Sequence, residues 1–538
     1  MSVVDNVRAA GMITDKKKCK EGDFTMQFSL ATARGLLVIG LTFVTLFAGY
    51  PAAEAQQPKR GGTLTLALEA DFASLDPLRV TALVERQVGL AVMDPLFDID
   101  EKGRVKPVLA TGFEAIDGGK TYRIFLREGV KFHDGTVFDA DAVVFNIERV
   151  RDPKNACRCI ANLDSIESVK AIDARTVEFT LNRPDAVLPA ILSDAAGLMV
   201  SPTALRADEK AIAKRPIGTG PFILKEWQQG HKIILERNPN YWVKDQPYLD
   251  RVVMLPLANE ETRQSGLISG TIDVIESPSP RFVREARANK KLKVLTGAGL
   301  GTTFLKMNTR NEPFDDVRVR RAVAYATDRA LFIKAIYEDQ YPIADSLIGP
   351  GMWAHAAVKN FPKYDPAQAK KLLAEYGKPV SFVLGITPTP HNALAAQALQ
   401  EMWKEVGINV QIKQVEQARF IRDALTHNFQ MSLFRWAGRP DPDLNLYRAF
   451  HSKFANETSS NYTQFTNKKM DELLERGRMT LDQAERQKIY DDASTLLADE
   501  VPYLFLFYAT FHTVMAAKVH PGPNIADGVL RLQTAWVE

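Results

Sequence analysis

The densest concentration of binding chemistry in the sequence is Trp436-Ala437-Gly438-Arg439-Pro440-Asp441-Pro442-Asp443. Its guanidinium can take a carboxylate or phosphate bidentately, and its indole can stack on an apolar surface. Gly and Pro make it a loop, and it follows an apolar strand at 431–434. The same residues also allow a closed arrangement, with Arg439 paired to Asp441 or Asp443 and Trp436 packed into a core.

Nothing comparable points to covalent chemistry. The chain has no GxxxxGK[ST], HExxH or GxSxG pattern. Gly297-Ala298-Gly299-Leu300-Gly301 lacks the GxGxxG spacing and reads as a crossover between strands. The 8 histidines are scattered, with none at helical metal-ligand spacing. No catalytic residue, metal site or cofactor is expected, and the weight falls on binding rather than catalysis.

Positioning such a loop requires a mixed α/β scaffold, and the periodicities supply one. Leu64, Leu66 and Leu68 alternate with Thr63, Thr65 and Ala67, as in a half-buried strand. Tyr122, Ile124, Leu126 and then Val177, Phe179, Leu181 repeat that period of two, as do Val410 and Ile412. Val319, Ala322, Val323, Ala326, Ala330 and Ile333 recur at helical spacing behind a capping Asp315 or Asp316. Ala395, Leu399, Met402 and Val406 form another stripe, ended by Gly407. Met470, Leu473 and Leu474 mark a third, and Ile489, Ala493, Leu496 and Leu497 a fourth.

The 538 residues are 46% hydrophobic and 25% charged, ordinary values for a globular chain of two to four structural units. With 68 basic and 65 acidic side chains there is no field of the kind that attracts nucleic acid. Arg34 precedes the apolar run 35–48, which is shorter than the ~20 residues of a membrane span. Ala53-Glu54-Ala55 then gives a small-x-small site, so residues 1–55 read as a secretory signal cut after Ala55, with Met26 the natural start. The alternative is a membrane anchor. Beyond it only Cys157 and Cys159 remain, as a disulfide or as two quiet thiols.

Thr121-Tyr122-Arg123-Ile124-Phe125-Leu126-Arg127-Glu128-Gly129-Val130-Lys131-Phe132-His133-Asp134-Gly135 runs from a strand into a tight turn, and Asp139 caps the helix that follows. This block resembles the signature of extracellular solute-binding protein family 5, the peptide- and nickel-type binding proteins of ABC importers. Ser74-Leu75-Asp76-Pro77, Gly218-Thr219-Gly220-Pro221-Phe222, Asn238-Pro239-Asn240-Tyr241-Trp242, Met307-Asn308-Thr309, Pro313 to Arg320, Trp436 to Asp443 and Pro502-Tyr503-Leu504 are similar to its later blocks, in order.

The resemblance implies a two-lobed α/β periplasmic-binding-protein fold (type II, cluster C-like). Lobe I would span 56–304 with an inserted subdomain at about 100–215, lobe II 305–508, and 509–538 would return to lobe I. Hinge crossings are expected near 303–308 and 507–513. It further implies a periplasmic monomer that captures a small amphipathic solute and works with permease and ATPase subunits. The resemblance leaves the solute as peptide-like or an anionic conjugate, with a sugar or metal chelate as further options. A sensory or chaperone role on the same fold, or an exported hydrolase, are the alternatives.

Dipeptide-binding relatives carry an aspartate after the tryptophan and glycine to pair with the ligand's ammonium. Arg439 stands at about that point here, so the expected ligand bears an anionic group. The candidate ligand contacts are Trp436, Arg439 and Asp441, with Thr387 and His391 from the loop before the helix at 393–406, and Phe72 and Ser74 from the N-terminal loop. Trp227 and Trp353 fit either core or cleft.

Overall fold

Two unusually long antiparallel strands, Leu292–Met307 and Tyr503–Ala516, organise the protein. They form the middle of a ten-stranded sheet whose order is Asn409–Gln414, Ser381–Ile386, Met431–Trp436, Leu292–Met307, Tyr503–Ala516, Val274–Glu276, Thr63–Leu68, Arg251–Pro256, Lys232–Arg237, Phe222–Gln228. The computed structural model describes residues 57–538, apart from Thr81, Pro278 and 457–460. The signal segment 1–55, Met26 and the cleavage site after Ala55 lie outside the described residues. Lys59–Glu538 cluster as one unit.

The long pair changes neighbours midway. Residues 292–298 pair with 510–516, beside Val274–Glu276, whereas Thr302–Met307 pair with Met431–Trp436 on their other side. Between Ala298 and Thr302 the register shifts. The glycine run is therefore an irregularity within one continuous strand rather than a crossover between two. Glycine is required there by close approach: a Cβ on Gly301 would fall 1.9 Å from the Trp436 carbonyl oxygen, and one on Gly299 2.8 Å from that of Ala509.

The apolar side chains gather into separate clusters that follow this division. One joins Phe304, Phe314, Val323, Phe382, Leu399, Trp403 and Tyr503. Another packs Leu64, Val88, Phe222, Leu235 and Met254. A third lies under a four-stranded antiparallel sheet, Ala110–Ile116, Thr121–Leu126, Thr176–Leu181 and Ile166–Asp173, and holds Tyr122, Ile147 and Phe179. Tyr122, Ile124 and Leu126 are buried in alternation with more open neighbours, as their period of two requires. Cys157 and Cys159 are joined by a disulfide beside this sheet.

The blocks that carry the family resemblance are structural in their local geometry. Asp134 and Gly135 form the turn, Gly135 with φ of 84°, and Asp139 caps Ala140–Arg151 by accepting from the Ala142 amide. Thr219 Oγ1, Trp242 Nε1 and Tyr241 Oη converge on buried Asp94 at 3.1, 2.8 and 3.2 Å. Burial pushes the Asp94 carboxyl up to about 6 against those bonds. A Cβ on Gly218 or Gly220 would run into the backbone of Val92 and Met93. Asp76 takes the Arg149 fork at 2.9 and 2.7 Å.

The stripe 319–333 is two helices rather than one, Val317–Tyr325 and Arg329–Tyr337. Asp316 caps the first, and Asp328 accepts from the Leu331 amide to start the second. The break is held by Thr327, whose hydroxyl donates to the Val323 carbonyl and accepts from Trp403 Nε1. The apolar spacing survives the break because both helices bury the same side against one core.

Candidate functional site

A cavity of about 730 Å³ lies where the long strands change neighbours. Thr303, Phe507, Ala509 and Thr510 from those strands line it. Glu260, Ser279 and Pro280 close it from the side of Val274–Glu276. Opposite them stand Tyr337, Tyr341, Phe420, Phe434 and Arg435, with Thr387, Thr389, His391 and Asn392 from the start of the helix Pro390–Lys404. The volume suits a solute of roughly 300–1,000 Å³, the usual range of small-molecule pockets.

Its apolar surface is an aromatic group. Tyr337 meets Phe507 at 4.5 Å, Tyr341 at 5.3 Å and the His391 ring edge-on at 4.6 Å, and Phe420 stacks on Phe434 at 6.1 Å. Desolvation lowers the His391 imidazole below its ordinary range. Thr387 Oγ1 accepts from Asn392 Nδ2 at 2.7 Å, and Thr389 caps the helix.

The cavity also holds charge. Arg435, at the end of Met431–Trp436, is exposed into it and forms no ion pair among the described residues. Glu260 is oriented by Gln264 Nε2 at 2.9 Å and Ser277 Oγ at 2.7 Å. Glu276 stands at the end of Val274–Glu276, where it lines a smaller pocket with Glu69. Burial pushes its carboxyl up to about 7, with Glu69 and Glu260 adding to the rise and Arg435 and Arg263 opposing it.

Because this folded-state value lies above the ordinary 4.5, Glu276 contributes stability below pH 4.5 that is lost as pH rises through about 7. The difference in melting temperature between a Glu276→Gln protein and the wild type should therefore grow in favour of the variant from pH 4.5 to 7.5. A constant difference over that range would show that Glu276 titrates normally.

Of the seven contacts expected from the sequence, Thr387 and His391 line this cavity. The other five do not line it and make contacts within the protein. Phe72 is buried against Trp227, ring centroids 4.7 Å apart, and Ser74 Oγ accepts from the Asp76 amide at 3.1 Å. Trp353 lies beneath the Arg486 guanidinium at 5.3 Å. Trp436 donates from Nε1 to Asn445 Oδ1 at 2.7 Å, and the same oxygen accepts the Arg439 amide at 2.9 Å.

The Arg439 side chain turns away from the cavity. Its guanidinium covers the Trp436 ring at 5.1 Å, and Nε stands 3.7 Å from Asp194, which also faces Arg86 at 3.3 Å. Its ionic partner is thus Asp194, where the sequence had suggested Asp441 or Asp443. Asp441 receives the Arg486 fork at 2.9 Å in both bonds, and Asp443 that of Arg478 at 3.1 and 2.6 Å. Gly438, with φ of +86°, presses this loop against Leu300 and Gly301.

Arg435, Tyr337, Tyr341, Phe434 and Glu260 were not singled out in the sequence. Arg435 was the most accessible of them to reasoning, as a cation one residue before the tryptophan already chosen. The aromatic residues carry core-like periodicity and give no separate signal.

A family model described as bacterial extracellular solute-binding proteins, family 5, middle, matches residues 104–457. The glutathione-binding protein GsiB of Escherichia coli K12 is 29% identical over 450 residues, 82% of this chain and 88% of that protein. Among solved structures, the periplasmic binding protein DppA of Helicobacter pylori with the peptide STSA aligns with a TM-score of 0.78. It is 28% identical, over 89% of this chain and 99% of that one. The dipeptide-binding protein of Pseudoalteromonas sp. SM9913 with Met-Leu gives 0.78 at 26% identity, over 89% and 100%. These neighbours share the two-lobed fold.

Proposed function

The chain belongs to the bacterial extracellular solute-binding proteins of family 5 and is a substrate-binding subunit of an ABC importer, and from that premise we propose that it captures a small amphipathic solute bearing a carboxylate. The observation that carries this reading is Arg435, a guanidinium with no ion pair among the described residues, at the wall of a cavity that also presents the rings of Tyr337, Tyr341, Phe420, Phe434 and Phe507. A solute there can lay apolar surface on Tyr337, Phe434 and Phe507 while its carboxylate takes the guanidinium fork.

Lobe I is the side of Thr63–Leu68 and Val274–Glu276, and lobe II the side of Met431–Trp436 and Ser381–Ile386. Their hinge is the register break of the long pair, at 298–302 and 508–510. Bending there brings Glu260 and Ser279 toward Tyr337 and Arg435, and closure excludes water and strengthens the ion pair. The closed form is the one presented to the permease and ATPase subunits. The mature protein acts as a monomer in the periplasm after removal of residues 1–55, and it binds without catalysing a reaction.

Native mass spectrometry of protein purified from its own host, followed by denaturing analysis of what is released, tests the reading. A co-purifying small carboxylate supports it; a neutral sugar as the sole bound species overturns it. Arg439 supplies the control. Since its charge is already met by Asp194, Arg439→Ala should leave affinity for the released solute within about twofold while lowering the melting temperature. A large loss of affinity in calorimetry would return Arg439 to the ligand site.

A further inference from the structure

The bridge between Cys157 and Cys159 lies outside the solute cavity, and its surroundings are not those of a structural cross-link. Only Arg158 separates the two cysteines, so the bridge ties no distant segments together. The stabilisation a disulfide gives by restraining the unfolded chain grows with the loop it closes, and this loop is minimal. Its two ends also differ. Cys157 is 4% exposed and belongs to the apolar cluster under the four-stranded sheet, whereas Cys159 is partly open to solvent.

The turn that carries the bridge is strained and cationic. Ala156, immediately before Cys157, has φ of 45°, a left-handed conformation that a residue with a Cβ adopts at a cost. Arg79 holds it there, Nη2 donating to the Asn155 carbonyl at 3.0 Å and Nη1 to that of Ala156. The Arg158 amide donates to the Leu78 carbonyl at 3.1 Å, and its guanidinium to that of Arg79 at 3.3 Å. Two guanidinium groups thus stand on one short turn, and the nearby Asp152 carboxylate accepts the Lys154 amide at 2.9 Å. Cys157 Sγ itself accepts the Cys159 amide at 3.2 Å. Cationic neighbours and an amide donor are the surroundings that stabilise a thiolate.

We propose that the Cys157–Cys159 bridge is a thiol–disulfide exchange site whose substrate is a low-molecular-mass thiol and whose attacked sulfur is Cys159 Sγ. An incoming thiolate forms a bond to Cys159 Sγ as the bond between the two cysteine sulfurs breaks. The electron pair leaves on Cys157 Sγ, where the Cys159 amide meets it, and a proton from solvent completes the thiol. A second thiolate attacks the thiol-derived sulfur of the mixed disulfide and releases the thiol dimer. Cys159 departs as a thiolate and is protonated in turn. Two small thiols are thereby oxidised to one disulfide, and the bridge is reduced to two thiols. Burial of Cys157 directs the attack to Cys159, and the brevity of the ring lets the exchange run with the fold intact.

The test incubates the folded mature protein with excess reduced glutathione, quenches at early times with N-ethylmaleimide and maps the products by peptide mass spectrometry. Reduction and a glutathione adduct on Cys159 are expected without denaturant, with the melting temperature lowered by no more than about 3 °C. Arg79→Ala should slow the reaction about three- to tenfold, because it removes one of the two charges that favour the leaving thiolate. Cys157→Ser, which leaves Cys159, should take up glutathione from its disulfide at least about tenfold faster than Cys159→Ser, which leaves the buried Cys157. If Cys157→Ser does not fold, the position of the adduct in the wild type decides the same point.

A bridge that glutathione and dithiothreitol reduce only after urea has unfolded the protein would overturn the proposal. Adducts confined to Cys157, or equal rates for the two single-cysteine variants, would do the same. A larger fall in melting temperature on reduction would make the bridge a structural cross-link instead.

Discussion

Arg435→Ala is expected to weaken binding of the co-purifying carboxylate by roughly 30- to 1,000-fold, equivalent to about 2–4 kcal/mol, because closure buries the ligand's charge against a missing partner. The size follows from the site's construction. Among the described residues Arg435 has no ion pair to re-form when the ligand leaves, so its interaction is available to the solute. The rings of Tyr337, Phe434 and Phe507 line the same cavity, and closure over a bound solute would exclude the water that otherwise screens it. Arg435→Lys should recover part of the loss, since an ammonium keeps the charge and forfeits the fork. Calorimetric titration of wild type and both variants with the same solute measures this. Equal affinities in all three would remove Arg435 from the site and transfer the aromatic cavity to a neutral ligand.

The second large effect concerns stability. Asp441→Ala is expected to destabilise the protein by about 3–5 kcal/mol, because it leaves the Arg486 guanidinium buried without its counter-charge. Both side chains are almost fully enclosed, 4% and 6% exposed, and two hydrogen bonds of 2.9 Å join them. Asp441 also caps the helix Pro442–Phe450 by accepting from the Asp443 amide, so the substitution removes a cap as well. The double variant Asp441→Ala, Arg486→Met should recover much of the loss by removing the stranded charge. Urea unfolding of the three proteins reads this directly. A single variant as stable as wild type would show that the pair is solvated. A folded Asp441→Ala protein with strongly reduced solute affinity would place Asp441 at the ligand after all.

The two predictions separate residues of the same short stretch. Arg435, Arg439 and Asp441 lie within seven positions, and each is an ionic side chain near a tryptophan. Which one meets solvent and which meets protein depends on what the long strands carry to that place. Arg439 is met by Asp194, more than two hundred residues earlier, and Asp441 by Arg486 from a following helix. No local pattern encodes either encounter.

What the sequence determined by itself is whatever short-range chemistry specifies. Alternating burial set the strands Thr63–Leu68, Thr121–Leu126 and Thr176–Leu181, because a pleated backbone sends successive side chains to opposite faces. Asp139 and Gly135 specified a cap and a turn, because a carboxylate accepts free amides and only glycine takes positive φ without strain. The signature blocks identified the family because their glycines and aromatic residues, such as Gly218, Gly220 and Trp242, are demanded by close packing that few alternatives satisfy.

Tertiary structure alone decided the rest. The helix stripe through Ala326 broke because Trp403, far along the chain, holds Thr327 in the interrupting turn. The glycine run became a bent continuous strand because the carbonyl groups of Trp436 and Ala509 press on it from either side. The cavity, above all, joins Glu260, Tyr337, Arg435 and Phe507 from four separated elements. An aromatic side chain facing a ligand and one facing a core obey the same periodicity, and only the pairing of distant strands determines which side is left open.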